Sequence, residues 1–116
     1  MTRITFFRRD GVFYGFEETG HAGYAESGED ILCAALSSMT MLVVNTIEIS
    51  FAGDVEYDID DESARIRVES KCALSEFEED EKRRYAVSGV FQGYFYQLND
   101  MIEDYYEFLE VDVKDE

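Results

Sequence analysis

The chain has 116 residues, of which 27 are Asp or Glu and 10 are Lys or Arg, so its formal net charge is −17. This length fits one domain, and a hydrophobic content of 46% with 15% aromatic residues excludes a disordered chain. The negative charge argues against direct binding to nucleic-acid phosphates or to an anionic membrane, and it favours a cationic macromolecule as partner.

The compartment is predicted from the chain start, the cysteines and the apolar runs. Residues 1–9 lack the apolar run of a signal peptide, and the longest apolar stretch is interrupted by Ser, Thr and Asn, so it looks too short to span a bilayer. Two cysteines, Cys33 and Cys72, are too few for a disulfide framework. We therefore expect a cytoplasmic protein in which residues 1–116 form a single domain.

A β-hairpin is predicted at the start of the chain. Residues 3–8 are rich in β-branched and aromatic side chains, which is typical of a strand. Asp10 and Gly11 form a two-residue turn signal, and residues 12–16 have the composition of the returning strand.

A glycine-rich loop and an apolar helix are predicted next. The loop spans residues 20–28, and the three glycines that should make it flexible are Gly20, Gly23 and Gly28. Ser27, with Asp30 three residues later, resembles a capping box that starts a helix. The run from there to Asn45 is apolar on nearly every face. Such a helix should be buried by a sheet on one side and by a second helix or a second subunit on the other.

The second half predicts a second hairpin, a second helix and a last strand. Apolar and charged residues alternate over 55–59 and again over 64–69, as expected for strands with one solvated face. From Tyr85 to Tyr105, apolar residues recur at steps of three and four, which indicates a helix with one apolar stripe. Residues 108–113 alternate again and predict a final strand.

The order β-β-α-β-β-α-β predicts an α+β two-layer sandwich, with both helices on one face of a mainly antiparallel sheet. Two surface features stay open at this point. The acidic run from Glu76 to Glu81 is a solvated helix start or a recognition surface for a basic partner. The aromatic residues of the second helix are a dimer interface, a peptide groove or ordinary core, and they are Tyr94, Phe95, Tyr96, Tyr105 and Tyr106.

The residues with nucleophilic chemistry are Cys33 and the single histidine, His21. Cys33 lies in the opening turns of the first predicted helix, where the positive end of the helix dipole favours the thiolate. A loop histidine that swings onto the thiol could take its proton and form a thiolate–imidazolium pair. In the alternative, Cys33 packs as a small hydrophobic residue and His21 has no role, and the spacing alone leaves both readings open.

The remaining candidate ligands predict neither a metal site nor a cofactor. Cys72 has no partner nearby in sequence and is expected to pack at the end of a strand. Cys33, Cys72 and His21 are the only soft ligands, and their spacing matches no common zinc motif.

Gly20-His21-Ala22 and the later run from Asp30 to Ser37 resemble the signature of the bacterial ribosomal-processing cysteine protease family Prp. The resemblance covers nearly the whole chain. It implies a homodimeric cysteine endopeptidase that removes the N-terminal extension of a basic large-subunit ribosomal protein. It also implies a cleavage site with an aromatic pair before the scissile bond and a small residue after it.

By matching position, the resemblance implies that Cys33 is the nucleophile and His21 the general base, with supporting roles for Asp30 and Ser37. The sequence departs from the usual pattern at Leu32 and Leu36, where valine is common. A more acidic and tyrosine-rich second half puts the choice of substrate in question more than the chemistry.

Several alternatives remain at the level of sequence. Asp30 either completes the helix cap or orients His21 as the third member of a triad. Ser37, one turn after Cys33, either touches the site or hydrogen-bonds its own helix backbone. The chain as a whole could instead be a non-enzymatic acidic module that binds a basic ribosomal or other cationic partner. A hydrolase of small thioesters or amides would share the Cys-His pair.

Overall fold

The computed structural model describes residues 1–20, 27–60 and 62–116, and for residues 27–30 the backbone alone. The strands are β1 (Thr2–Arg9), β2 (Val12–Thr19), β3 (Glu56–Asp60), β4 (Arg65–Glu69) and β5 (Leu109–Asp115). The long helices are α1 (Ser27–Asn45) and α2 (Glu81–Tyr105), and two short helical segments are Thr46–Ser50, a π-helix, and Lys71–Ala73, a 3-10 turn. The predicted order of strands and long helices is confirmed.

The five strands form one sheet in the order β3-β4-β2-β1-β5. Three of the four strand pairs are antiparallel, and β5 runs parallel to β1 at the other edge. In the turn between β1 and β2, Asp10 and Gly11 have φ angles of 50° and 80°, which is the conformation that an Asp-Gly hairpin turn requires. The predicted α+β sandwich with a mainly antiparallel sheet is therefore confirmed.

Aromatic side chains from β1, β2 and α2 form the centre of the core. The rings of Phe16 and Tyr94 lie 4.9 Å apart, and Phe6 lies 5.5 Å from Phe16. Leu32 and Leu36 of α1 are fully buried in the same core. Each of these apolar side chains contributes about 1.5–3 kcal/mol by leaving water, so both helices are held on one face of the sheet.

The burial of α1 differs from the prediction, which expected cover on nearly every face. The outer side of the helix and of the π-helix that continues it is open, with Ile31 61%, Leu42 64% and Ile49 76% exposed. The helical run Ile31–Ser50 is also long and apolar enough to cross a membrane by length and composition, so the argument that the stretch is too short was wrong. The π-helix adds the missing length. The inner face of this run is buried in the common core beside α2.

Two predicted boundaries are corrected. Gly28 lies inside α1 and not in the preceding loop, and Ser27 is the first helical residue instead of the residue before the helix. The second helix begins at Glu81 and not at Tyr85, because the Asp80 side chain accepts hydrogen bonds from the backbone N–H groups of its first turn.

Candidate functional site

Cys33 lies near the amino end of α1 and is half-buried. Its neighbour Leu32 and, one turn later, Leu36 are both fully buried against the sheet. The two leucines fix the rotation of the helix about its axis, so the Cys33 side chain lies at the border between core and solvent. A thiol in this position remains within reach of a ligand from solution.

The structure describes the other predicted site residues to different extents. Ser37 lies one helical turn after Cys33 and is exposed. Asp30 belongs to the first turn of α1, but its side chain lies outside the described part. His21 and Gly23 also lie outside the described residues. The structure therefore places Cys33 and Ser37 on one helix and leaves the predicted Cys33–His21 pair untested.

Gly20 marks the point where the chain leaves the sheet. Its φ of 81° is a conformation that residues with a side chain rarely adopt, and a Cβ atom here would collide with the Met1 carbonyl oxygen. Glycine is therefore required at position 20 for a close backbone contact as well as for a turn. This contact fixes the start of the segment that carries His21.

Cys72 lies far along the chain in the 3-10 turn after β4, where it is half-buried. Its Sγ atom accepts a hydrogen bond of 3.3 Å from the Asp54 backbone N–H. Gly53 is packed so closely here that a Cβ atom would lie 3.4 Å from the Cys72 sulfur. The prediction that Cys72 packs at a strand end is confirmed.

A buried polar cluster lies between the sheet and both helices, and the sequence analysis missed it. Glu18 of β2 is 1% exposed, and its Oε1 atom accepts a hydrogen bond of 3.3 Å from the Tyr94 hydroxyl on α2. Thr40 of α1, which is 2% exposed, lies against the same hydroxyl. Within the described residues, the second Glu18 oxygen has no hydrogen-bond partner.

Burial dominates the electrostatics of this cluster. Loss of solvent around the carboxyl raises the pKa of Glu18 to about 7, although the hydrogen bond from Tyr94 acts in the opposite direction. Burial, together with the charge of Glu18, raises the pKa of Tyr94 well above its usual range. Glu18 is therefore poised between its neutral and charged forms near neutral pH. The alternation of side chains along β2 carried the missed signal, since Phe16 and Glu18 must share one face.

The aromatic residues of α2 divide between core and surface. Tyr94 is buried, and Phe95 packs on Phe6 with ring centres 5.2 Å apart, so these two belong to the helix-to-sheet core. Tyr96 and Tyr106 are 62% and 66% exposed. The acidic run before α2 also divides, since Asp80 caps the helix while Glu76 forms an ion pair with Arg9.

Within the described part of the chain, no group of three or more His, Cys, Asp or Glu side chains is arranged to hold a metal ion.

Comparison with known proteins gives a consistent result. Residues 1–110 match the family model described as cysteine protease Prp. The ribosomal processing cysteine protease Prp of Bacillus subtilis (strain 168) is 27% identical over 102 residues, which cover 88% of this chain and 87% of that protein.

Solved structures share the fold. The crystal structure of a Streptococcus mutans protein superposes with a TM-score of 0.81 at 28% identity, covering 100% of this chain and 99% of that one. The essential ribosomal processing protease Prp from Staphylococcus aureus, in complex with a substrate peptide, has a TM-score of 0.80 at 21% identity. The match covers 98% of this chain and 100% of the Staphylococcus chain.

Proposed function

Because this chain belongs to the cysteine protease Prp family and is therefore a cysteine protease, we propose that it processes a ribosomal protein. The proposed substrate is a basic large-subunit protein, and the product is the same protein without its short N-terminal extension. The Bacillus subtilis relative is a ribosomal processing cysteine protease, which supports this choice. A protein of net charge −17 is also suited to meeting a strongly basic substrate.

The proposed chemistry uses Cys33 as nucleophile and His21 as general base. His21 takes the thiol proton, and the Cys33 sulfur attacks the scissile carbonyl to form a tetrahedral intermediate. The C–N bond then breaks, His21 gives its proton to the leaving amine, and a thioester remains on Cys33. Water hydrolyses the thioester, which releases the second product and restores the thiol.

The observation that carries this proposal is the position of Cys33 within the matched motif. It is half-buried near the amino end of α1, between the fully buried Leu32 and Leu36. A nucleophile needs this combination of a fixed helix and a reachable thiol. Cys72, by contrast, accepts a backbone hydrogen bond in a packed turn, which makes it the natural internal control.

The test is cleavage of the extended ribosomal protein, followed by mass spectrometry of the product. We expect the wild type and Cys72→Ala to remove the extension and Cys33→Ala and His21→Ala to leave it in place. Activity surviving in Cys33→Ala would overturn the choice of nucleophile. A wild type that leaves the ribosomal protein intact but hydrolyses small thioesters or amides would overturn the choice of substrate.

Supporting roles are proposed for Asp30 and Ser37. Asp30 lies in the first turn of α1, where it either caps the helix or orients His21. Asparagine keeps the size and the hydrogen-bonding oxygen of aspartate but carries no charge, so Asp30→Asn separates a hydrogen bond at the helix start from a triad carboxylate. Full activity in Asp30→Asn would exclude a triad carboxylate. Ser37, exposed one turn after Cys33, is proposed to contact the bound peptide.

A cytoplasmic homodimer is proposed, with the outer face of α1 as its interface. This face carries the exposed side chains of Ile31, Met41 and Leu42. Two copies of a chain of net charge −17 repel each other, so an uncharged surface is the favourable place for them to meet. Sedimentation should show a dimer that Leu42→Glu dissociates and Tyr96→Glu leaves intact. The reverse result would move the interface to the exposed tyrosines of α2.

A further inference from the structure

Within the part of the chain that the structure describes, one edge of the sheet carries no further strand. β3 is the end strand, and within the described residues it pairs with β4 alone. Each residue of β3, from Glu56 to Asp60, is exposed. An end strand of this kind presents unpaired backbone N–H and C=O groups, to which an extended peptide can add as a further strand.

The two faces of β3 differ in chemistry. Tyr57 pairs with Val68 of β4, a core residue, so Tyr57 and Ile59 lie on the face that carries the helices. They nevertheless remain 40% and 48% exposed, because the helices do not cover the outermost strand. The opposite face carries Glu56, Asp58 and Asp60.

Natural end strands are protected from further pairing by charges, often lysines. In β3 the charges are negative, so the edge repels another acidic chain and attracts a basic one. The Arg65 side chain lies 2.9 Å from Asp58 and neutralises part of this charge. Asp60 faces the same arginine across the strand pair, and its Oδ1 atom accepts hydrogen bonds from the Glu62 and Ser63 backbone N–H groups. Glu56 lies opposite Glu69 and forms no ion pair within the described residues, so its charge is the one left for a basic partner. The edge is therefore complementary to a peptide that alternates lysine or arginine with apolar residues.

The direction of β3 relates this edge to Cys33. Thr40 of α1 lies against Tyr94, which donates a hydrogen bond to Glu18. Glu18 lies opposite Ile66 of β4, which in turn lies opposite Ile59 of β3. After the π-helix, Gly53 packs on Cys72 at the other end of β4, so α1 runs toward that end. A rise of 1.5 Å per residue separates Cys33 from Thr40 by about 10 Å along the helix axis, in the direction of the Asp60 end of β3.

We propose that the β3 edge is a docking strand for the basic segment of the substrate that follows the scissile bond. The segment adds antiparallel to β3, because only that direction leads away from Cys33 toward the carboxyl end of the substrate. A basic side chain of the segment lies over Glu56, and its apolar side chains lie over Tyr57 and Ile59. This inference rests on the proposed protease function and assigns to it a surface that selects substrates.

The test uses two synthetic peptides that share one cleavage sequence, an aromatic pair followed by alanine. One peptide continues into a tail that alternates lysine and valine, and the other into a glycine–serine tail. We expect the lysine–valine tail to lower KM about tenfold with kcat unchanged, which is the effect of one or two additional hydrogen bonds. Two further peptides carry N-methyl groups on the odd or on the even residues of the lysine–valine tail. Only one of these two methylation patterns should abolish the decrease in KM, because alternate N–H groups of a strand point to the same side and only one set faces β3.

Matched variants test the protein side of the interaction. Ile59→Thr and Glu56→Lys should each remove most of the gain, since they change the docking strand without removing a core residue. The controls are Tyr85→Thr, which changes a large side chain exposed on α2, and Glu103→Lys, which changes an exposed acid on the same helix. Both controls should preserve the gain.

Failure of this inference and failure of the protease proposal give different results. Equal kcat/KM values for the two tails would overturn the docking strand while leaving the cleavage chemistry intact. Equal effects of N-methylation at the odd and at the even tail residues would have the same meaning. If neither peptide is cleaved, the proposed cleavage site is wrong. Fluorescence anisotropy with the labelled lysine–valine tail and Cys33→Ala then decides the docking strand. Binding that Ile59→Thr does not weaken would overturn it.

Discussion

At the scale of single residues, the ionisation of Glu18 is coupled to folding between about pH 4.5 and pH 7. Its carboxyl is 1% exposed, and burial raises its pKa from the usual 4.5 to about 7. The folded state therefore binds the proton more tightly than the unfolded state. The stabilisation that this difference provides is fully present below about pH 4.5 and is lost as the pH rises through about 7.

Replacing Glu18 with glutamine should remove this pH dependence. Glutamine keeps the shape and the hydrogen-bonding capacity of the neutral acid but cannot ionise. The free energy of unfolding of Glu18→Gln should therefore rise relative to that of the wild type as the pH rises. A pKa shift of this size corresponds to a difference of a few kcal/mol in the free energy of unfolding between the two proteins above pH 7. Urea unfolding of both proteins at pH 5 and pH 8 measures the difference.

The neighbouring Glu17 supplies the control for this measurement. Glu17 points to the other side of β2 and forms an ion pair with Arg67 at 3.0 Å. Glu17→Gln removes one negative charge from the same strand without touching the buried cluster. A pH-independent difference between Glu18→Gln and the wild type would contradict a Glu18 that becomes charged inside the core.

Individual residues of the site differ in whether the sequence alone could predict them. Cys33 was found because a cysteine at a predicted helix start has a known physical advantage. Glu18 was missed because it follows Glu17, and two adjacent acids resemble a solvated strand. The Cys33–His21 pair stays a prediction, since residue spacing defines no distance across a loop.

At the scale of secondary structure, apolar periodicity predicted the elements well and their ends poorly. The stripe through Val87, Phe91 and Leu98 identified α2, because those side chains are buried on the sheet. Its polar first turn has no apolar period, so the predicted start fell at Tyr85. For α1, the apolar outer face gave no indication of which side the sheet covers, and composition could not resolve this because both sides are equally apolar.

The cap of α2 gives a prediction at this scale. Asp80 Oδ1 accepts hydrogen bonds of 2.9 Å from Lys82 N–H and 3.4 Å from Arg83 N–H. Asp80→Ala leaves both groups without this partner and should cost about 1 kcal/mol, or about 4 °C in Tm. Asp80→Asn should retain most of the stability. Thermal unfolding of the two variants, with Glu79→Ala as an exposed control, measures this, and equal Tm values for Ala and Asn would contradict the cap.

At the scale of the whole molecule, the charge of −17 affects how fast the substrate reaches the protein and not the cleavage of the bond. The proposed nucleophile and base, Cys33 and His21, are not among the residues that create this charge. A field of one sign raises the rate at which an oppositely charged partner arrives, and salt weakens that field. The global charge and the local docking strand thus make separable contributions to substrate selection.

Salt should therefore slow processing of the basic ribosomal protein through kcat/KM while leaving kcat unchanged. From about 0.1 M to about 1 M salt, the Debye length falls from about 10 Å to about 3 Å. We expect kcat/KM to fall about tenfold over this range, which is the low end of electrostatic steering. A short uncharged peptide with the same cleavage sequence is the control, because the field does not steer it. An equal loss of kcat/KM for both substrates would show that salt acts on the enzyme itself, and the charge would then have no part in bringing the substrate to Cys33.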